Sequence, residues 1–227
     1  MIVDLLALAK LVTAGLALML PLGNPLTSVS LLLALGNRYT PAERSRQVDA
    51  AAFYVVAIML VVFYLGSWIM HSFGISIPGL RIAGGLIVAF LGFNMLFPST
   101  TVTDIPEVEH TLASHDRSNT PSIAFVPLAM PGTAGPGSIA MIISLASTYH
   151  GQTHIYSEWV RIAAPIIVAL LLGLLFWVCL RCSDKIVRLI GKAGVEAISR
   201  LMGFLLVCMG VQFVINGTLE VVAQAVH

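Results

Sequence analysis

Charge is what this chain has least of. Only 10% of its 227 residues are charged, whereas a soluble domain carries about 25% and needs them to face water. No charge of one sign predominates either: 12 Lys and Arg stand against 11 Asp and Glu, a net charge of +1. Without a basic field there is nothing to hold phosphates, which excludes nucleic-acid binding. Cysteine is scarce too. Cys179, Cys182 and Cys208 are few, odd in number and set in apolar runs, which excludes a secreted disulfide framework. What is abundant is apolar sequence, at 58% hydrophobic residues and a mean hydropathy of +0.94. Disordered chains have the opposite signature. The chain is an integral membrane protein.

A helix needs about 20 apolar residues to cross roughly 30 Å of hydrocarbon. Windows of that kind predict six spans, at 5–35, 50–70, 79–97, 122–147, 161–180 and 200–219. The N-terminal run reads as a retained first span rather than a signal peptide, because Asp4 is the only charge before Lys10 and the run outlasts a signal core. Thr40-Pro41-Ala42-Glu43 predicts a helix start ahead of span two, with a capping threonine, a proline at the first helical position and a glutamate placed to close a capping box. Arg38, Arg44, Arg46, Arg117, Arg181, Lys185, Arg188, Lys192 and Arg200 flank the odd-numbered connections, leaving only Lys10, Arg81 and Arg161 on the other side. Basic loops stay in the cytoplasm, so both termini are expected in the periplasm. The 183–199 stretch mixes basic and apolar residues at helical spacing, which suits either a helix on the inner membrane surface or a solvated connector.

The chain also resembles itself. Pro21-Leu22-Gly23-Asn24-Pro25-Leu26-Thr27 returns as Pro127-Leu128-Ala129-Met130-Pro131-Gly132-Thr133, a shared P-L-x-x-P-x-T. Gly85, Gly92 and Asn94 of span three are answered by Gly203, Gly210 and Gln212 of span six. The expected fold is therefore an all-α membrane protein of six transmembrane helices in two inverted-topology three-helix repeats. Residues 1–98 form the first repeat, 99–121 a cytoplasmic linker and 122–227 the second. Three spans per half is an odd number, so the second half enters from the opposite face, a recurrent plan for secondary transporters.

Paired prolines inside a span remove backbone donors and break the helix, and the freed groups must be satisfied by protein, water or a ligand. Residues 130–137, MPGTAGPG, cannot continue a regular helix, and span one is too long for one straight crossing. Broken or re-entrant helices are expected in spans one and four, at equivalent places in the two halves, where transporters build their sites. Half-helix N-termini offer free N–H groups and a positive dipole end to a carboxylate. The candidate substrate-binding residues are Asn24, Pro25, Thr27, Ser28, Pro131, Gly132, Thr133, Gly135 and Ser138. The plainer alternative is that Pro and Gly only kink packed helices. Glycines seven apart share a helix face and let backbones approach closely, so packing is the expected role of Gly85, Gly92, Gly203 and Gly210. Asn94 and Gln212 either glue helices or line a path.

Other chemistries find little support. No carboxylate falls in mid-span; Asp4, Asp49, Glu158, Asp184, Glu196 and Glu220 map near edges, so any coupling uses an edge carboxylate such as Asp49 or Glu220, or cations on backbone carbonyls. His150 and His154 are four apart but lack a third ligand, so no metal is expected. Cys179-Leu180-Arg181-Cys182 spells C-x-x-C, yet a thiol relay needs cysteines at the bundle centre and these lie at a span end. No nucleophile–base pair is visible, so neither an enzyme nor a cofactor is expected.

At 77–98 (IPGLRIAGGLIVAFLGFNMLFP), 123–144 (IAFVPLAMPGTAGPGSIAMIIS) and 194–220 (GVEAISRLMGFLLVCMGVQFVINGTLE) the chain resembles the MarC family, bacterial inner-membrane proteins named after a multiple-antibiotic-resistance locus. The likeness runs over nearly the whole chain. It implies six spans in the bacterial inner membrane and a relation to proton-linked transporters of small neutral amino acids such as glycine and alanine. It carries over no binding residues, so the site rests on the motifs above. The expected function is secondary transport of a small neutral solute, proton- or cation-coupled. The alternative is a membrane interaction or regulatory protein that transports nothing and whose loops, with Arg44, Arg46, Lys185 and Arg188, bind partners or anionic lipid. Drug efflux is a lesser variant of the first. The lipid bilayer and a small molecule are the expected partners, and a homo-oligomer is left open.

Overall fold

The computed structural model describes residues 2–23, 25–35, 39–97, 124–129, 135–151 and 156–226, and these are helical wherever they are regular. Seven helices follow in order: α1 (Ile2–Leu22), α2 (Pro25–Leu35), α3 (Pro41–Ser72), α4 (Ile77–Leu96), α5 (Pro136–Gly151), α6 (Glu158–Arg181) and α7 (Ser183–Val226). A six-residue π-helical turn, Ala124–Ala129, precedes α5. Among the described residues five helices are long and apolar enough to cross a membrane, namely α1, α3, α4, α6 and the Ala193–Ala225 part of α7. Six spans are expected from hydropathy; the described residues hold these five helices and a shorter apolar one, Gly137–Ser147, in span four. Span one divides at Gly23, whose N–H closes α1 on Met19 O at 2.8 Å, before α2 starts at Pro25. The 99–121 linker lies outside the described residues.

The helix start at Thr40 is as the sequence predicts. Glu43 N donates to Thr40 Oγ1 at 3.3 Å while Thr40 N donates to Glu43 Oε2 at 2.8 Å, a closed capping box with Pro41 in the first turn. Removing the cap leaves an N-terminal donor unmet, so Thr40→Ala is expected to lower stability by ~1 kcal/mol, read as a lower melting temperature of the detergent-solubilised protein. Beyond the cap, α3 buries Val48, Ala51, Val55, Met59 and Phe63 along one face, spaced three or four apart as a helix stripe must be. Its other faces show Phe53, Val61 and Leu65 to the surroundings. α6 does the same, burying Ala169, Leu172 and Phe176 and exposing Leu170, Leu171 and Leu174. Apolar side chains on both sides of a helix are the pattern of a lipid-facing bundle.

Lipid offers no hydrophobic drive toward helix association, so close fit must supply it. Glycines mark the crossings. Gly173 of α6 faces Val56 of α3, Gly66 of α3 faces Ile143 of α5, and Gly84 of α4 faces Ala140 of α5. The most extensive contact is between α4 and α7. There a Cβ added to Gly85 would lie 2.6 Å from Gly210 O, and one on Gly92 2.5 Å from Gly203 O. The four glycines therefore pack backbone on backbone, and the pairing of 85 with 210 and 92 with 203 makes the two helices antiparallel.

Side-chain bonds fix the ends of the bundle. At one end Arg44 reaches Asp184 at 3.1 Å and Ser183 Oγ at 2.7 Å. Twenty residues along α3, Tyr64 Oη donates to Ile162 O at 2.9 Å, so α3 and α6 run antiparallel. The Tyr64 end also holds both ends of the chain, since Ser157 Oγ donates to Asp4 Oδ1 at 3.1 Å and Arg81 reaches Glu220 at 2.8 Å. The 183–199 stretch is helical, broken by Gly191 at φ 75°, ψ 163°. Leu189 there is 87% exposed, Ile190 is exposed, and Val195 is buried. A positive φ suits glycine, and the break lets this helix turn an apolar edge outward, as an interfacial segment would.

Candidate functional site at the helix breaks

The first proline motif ends α1 and starts α2, and α5 starts three residues past the second. α2 begins at Pro25 and α5 at Pro136, positions where a missing N–H does no harm. The first turn of a helix has N–H groups that the helix itself does not bond. The structure brings the neighbourhoods of the two breaks together. Ser28, one residue past the first motif and buried, donates its Oγ to the carbonyl of Leu128 inside the second, at 3.1 Å across one hundred residues of sequence. Val29, Leu32, Ala124, Leu128 and Ala129 are all buried in the same cluster. A hydrogen bond in such dry surroundings is electrostatically strong, and its unpaired groups would be costly.

The π-turn is anchored on α3. Ala124 N donates to Gln47 Oε1 at 3.0 Å, and the ring of Phe125 meets Tyr54 edge-on at 5.4 Å between centroids. π-turns relax the helical ladder and recur at functional sites. Gln47 was not visible as a site residue in the sequence, because it sits in the polar run ERSRQVD that reads as a span edge.

Of the expected site residues, Ser28, Pro25, Gly135 and Ser138 are buried, and Thr27 lies in α2. Gly135 O accepts the N–H of Ile139 at 3.0 Å, opening α5. Asn24, Pro131, Gly132 and Thr133 lie outside the described residues. Asn94 and Gln212 stand apart from the breaks: both are exposed, and Gln212 gives its amide N–H to Asn216 of its own helix at 2.9 Å. The reason is angular. Each lies two residues past a packing glycine, about 200° round the helix at 100° per residue, and so points away from the crossing. The two carboxylates considered for coupling, Asp49 and Glu220, each meet an arginine. Asp49 accepts the indole N–H of Trp177 at 2.6 Å with Arg181 at 3.7 Å, and Glu220 faces Arg81. Cys182 ends α6 and Cys179 lies one turn before it, both as free thiols.

The sequence profile of the MarC family of integral membrane proteins matches residues 9–222. The chain belongs to the MarC family. It is 55% identical over 218 residues to the inner membrane protein MarC of Escherichia coli O1:K1, covering 96% of this chain and 98% of that one. MarC of Salmonella paratyphi B is 56% identical over 216 residues, covering 95% and 97%. No solved structure matches the chain at a significant level. With its five membrane-length helices, this MarC-family chain is a multi-pass inner membrane protein.

Proposed function

We propose that the chain is a secondary transporter of a small neutral solute, such as a small amino acid, with its site between the two helix breaks. The observation that carries this reading is the Ser28–Leu128 hydrogen bond, which joins the breaks inside a buried core. Two half-helix starts, at Pro25 and Pro136, give a carboxylate N–H groups to bind, while Asn24, Thr133 and Ser138 supply neutral polar contacts. The reciprocal glycine crossing supports an inverted repeat. Gly85 answers Gly203 in sequence yet meets Gly210, and Gly92 answers Gly210 yet meets Gly203. Such exchange is what a two-fold axis between the third helices of two inverted halves produces. In this reading the breaks stay fixed while the halves rock around them. The Arg44 and Arg181 end faces the cytoplasm by its basic charge, and both termini face the periplasm.

Proteoliposomes loaded with glycine or alanine and given a proton gradient test the proposal. Counterflow of radiolabelled substrate is the expected result, and none with any small amino acid overturns the substrate class. Asn24→Ala and Thr133→Ala are each expected to lower uptake about tenfold, the equivalent of one lost hydrogen bond to a charged group, with the amount of folded protein unchanged. Uptake that stays at the wild-type level in both removes the breaks as the site.

A further inference from the structure

A second feature lies away from the breaks. α1, α3, α5 and α6 line a cleft that is partly open to the surroundings. None of its lining residues belongs to either proline motif. Its walls are apolar and mostly buried, with Leu11, Met19, Met59, Phe63 and Leu172 among them. One charged side chain lines it, Arg161. This guanidinium is half-buried and, among the described residues, has neither an ion-pair nor a hydrogen-bond partner. Glu158, one turn earlier on α6, is exposed and does not pair with it. Arg44, Arg81 and Arg181, by contrast, each meet a carboxylate, of Asp184, Glu220 and Asp49 in turn.

A half-buried guanidinium beside apolar walls gains from an anionic partner, and its planar fork fits a carboxylate with two bonds. The apolar walls run from the level of Arg161 to that of Leu172, about 16 Å along α6 at 1.5 Å per residue. An extended chain gains ~3.5 Å for every three bonds, so that length matches a single chain of about a dozen atoms. We infer that this cleft is a binding site for a fatty carboxylate, its head on Arg161 and its chain among α1, α3, α5 and α6. The site does not depend on the transport reading. It would take its ligand from the membrane, where single-chain amphiphiles partition.

The test is saturable binding of radiolabelled dodecanoate to the full-length protein in phosphatidylcholine nanodiscs. Dodecanoate is expected to bind at least about tenfold more tightly than dodecanol or dodecyltrimethylammonium, which share its chain but not its charge. Arg161→Gln should remove that preference, and Arg161→Lys should keep the preference for anion over alcohol. Ala164→Leu enlarges a side chain that lines the cleft and should lower binding of all three chains alike. Intrinsic tryptophan fluorescence and melting confirm that each variant is folded; should Arg161→Gln not fold, the Arg161→Lys and Ala164→Leu results decide. Equal binding of dodecanoate and dodecanol overturns the proposal, as does unchanged binding in folded Arg161→Gln or in folded Ala164→Leu. Loss of dodecanoate binding when phosphatidylglycerol replaces phosphatidylcholine also overturns it, because the occupant is then a phospholipid headgroup.

Discussion

Gly210→Val is expected to remove nearly all folded protein, and Gly85→Val to do the same. A Cβ on Gly210 would lie 2.5 Å from both Ala89 N and Gly85 O, and one on Gly85 2.6 Å from Gly210 O. The obstructing atoms are backbone, held by two helical ladders, so no rotamer change relieves the clash. Overpacking costs about 1–3 kcal/mol where side chains can yield, and here the helices themselves must separate, at ~3 kcal/mol or more. That separation would undo the most extensive helix contact in the bundle, in a solvent where close fit is the main source of helix association. Fluorescence-detected size exclusion of the solubilised protein measures the outcome as a lost monodisperse peak. Gly210→Ala should retain part of the peak, and Phe90→Val, at an exposed position of α4, should leave it intact. A Gly210→Val protein that elutes and melts like the wild type would sink this account of the crossing.

Arg81→Met is expected to destabilise the fold by ~2 kcal/mol, and Glu220→Gln to cost somewhat less. The Arg81 side chain is 19% exposed; it reaches Glu220 Oε2 at 2.8 Å and donates its Nε–H to Ser144 Oγ at 2.6 Å. It therefore ties α4 to both α5 and α7 at the end of the bundle that holds the chain termini. Breaking a fully buried ion pair by deleting one partner costs about 3–5 kcal/mol, while an exposed pair contributes ~0–1 kcal/mol. With Glu220 35% exposed, the expected effect falls between these limits. The double variant Arg81→Met/Glu220→Gln should be less destabilised than the two single losses added together, giving a coupling of ~1 kcal/mol or more. Denaturation in mixed micelles, followed by tryptophan fluorescence, measures the cycle. Strict additivity would show that the pair is a surface contact of no consequence.

Much of the local architecture is legible in the residues themselves. Thr40-Pro41-Ala42-Glu43 specifies its helix start because every atom of the capping box lies within four residues. The break after Leu22 follows from Pro21, Gly23 and Pro25, and the start of α5 from Pro136, since a missing N–H acts on the adjacent turn. The shared face of Gly85 and Gly92 follows from helical period alone. The same period places Asn94 and Gln212 away from the glycine crossing.

Composition and spacing by themselves determined that the chain lives in a membrane, where its helices break and which helix faces are small. Only the tertiary structure decided which faces meet: Gly85 with Gly210, Ser28 with Leu128, Arg81 with Glu220. It alone left Arg161, a bare count among the basic residues, beside an apolar cleft. The division has a physical cause. Capping and proline breaks act through neighbouring backbone groups, whereas these pairings join residues one hundred or more positions apart and depend on how the helices cross. In water, hydrophobicity would have marked the inward faces in advance. In lipid the outward faces are equally apolar, so fit and a few polar contacts select the partners.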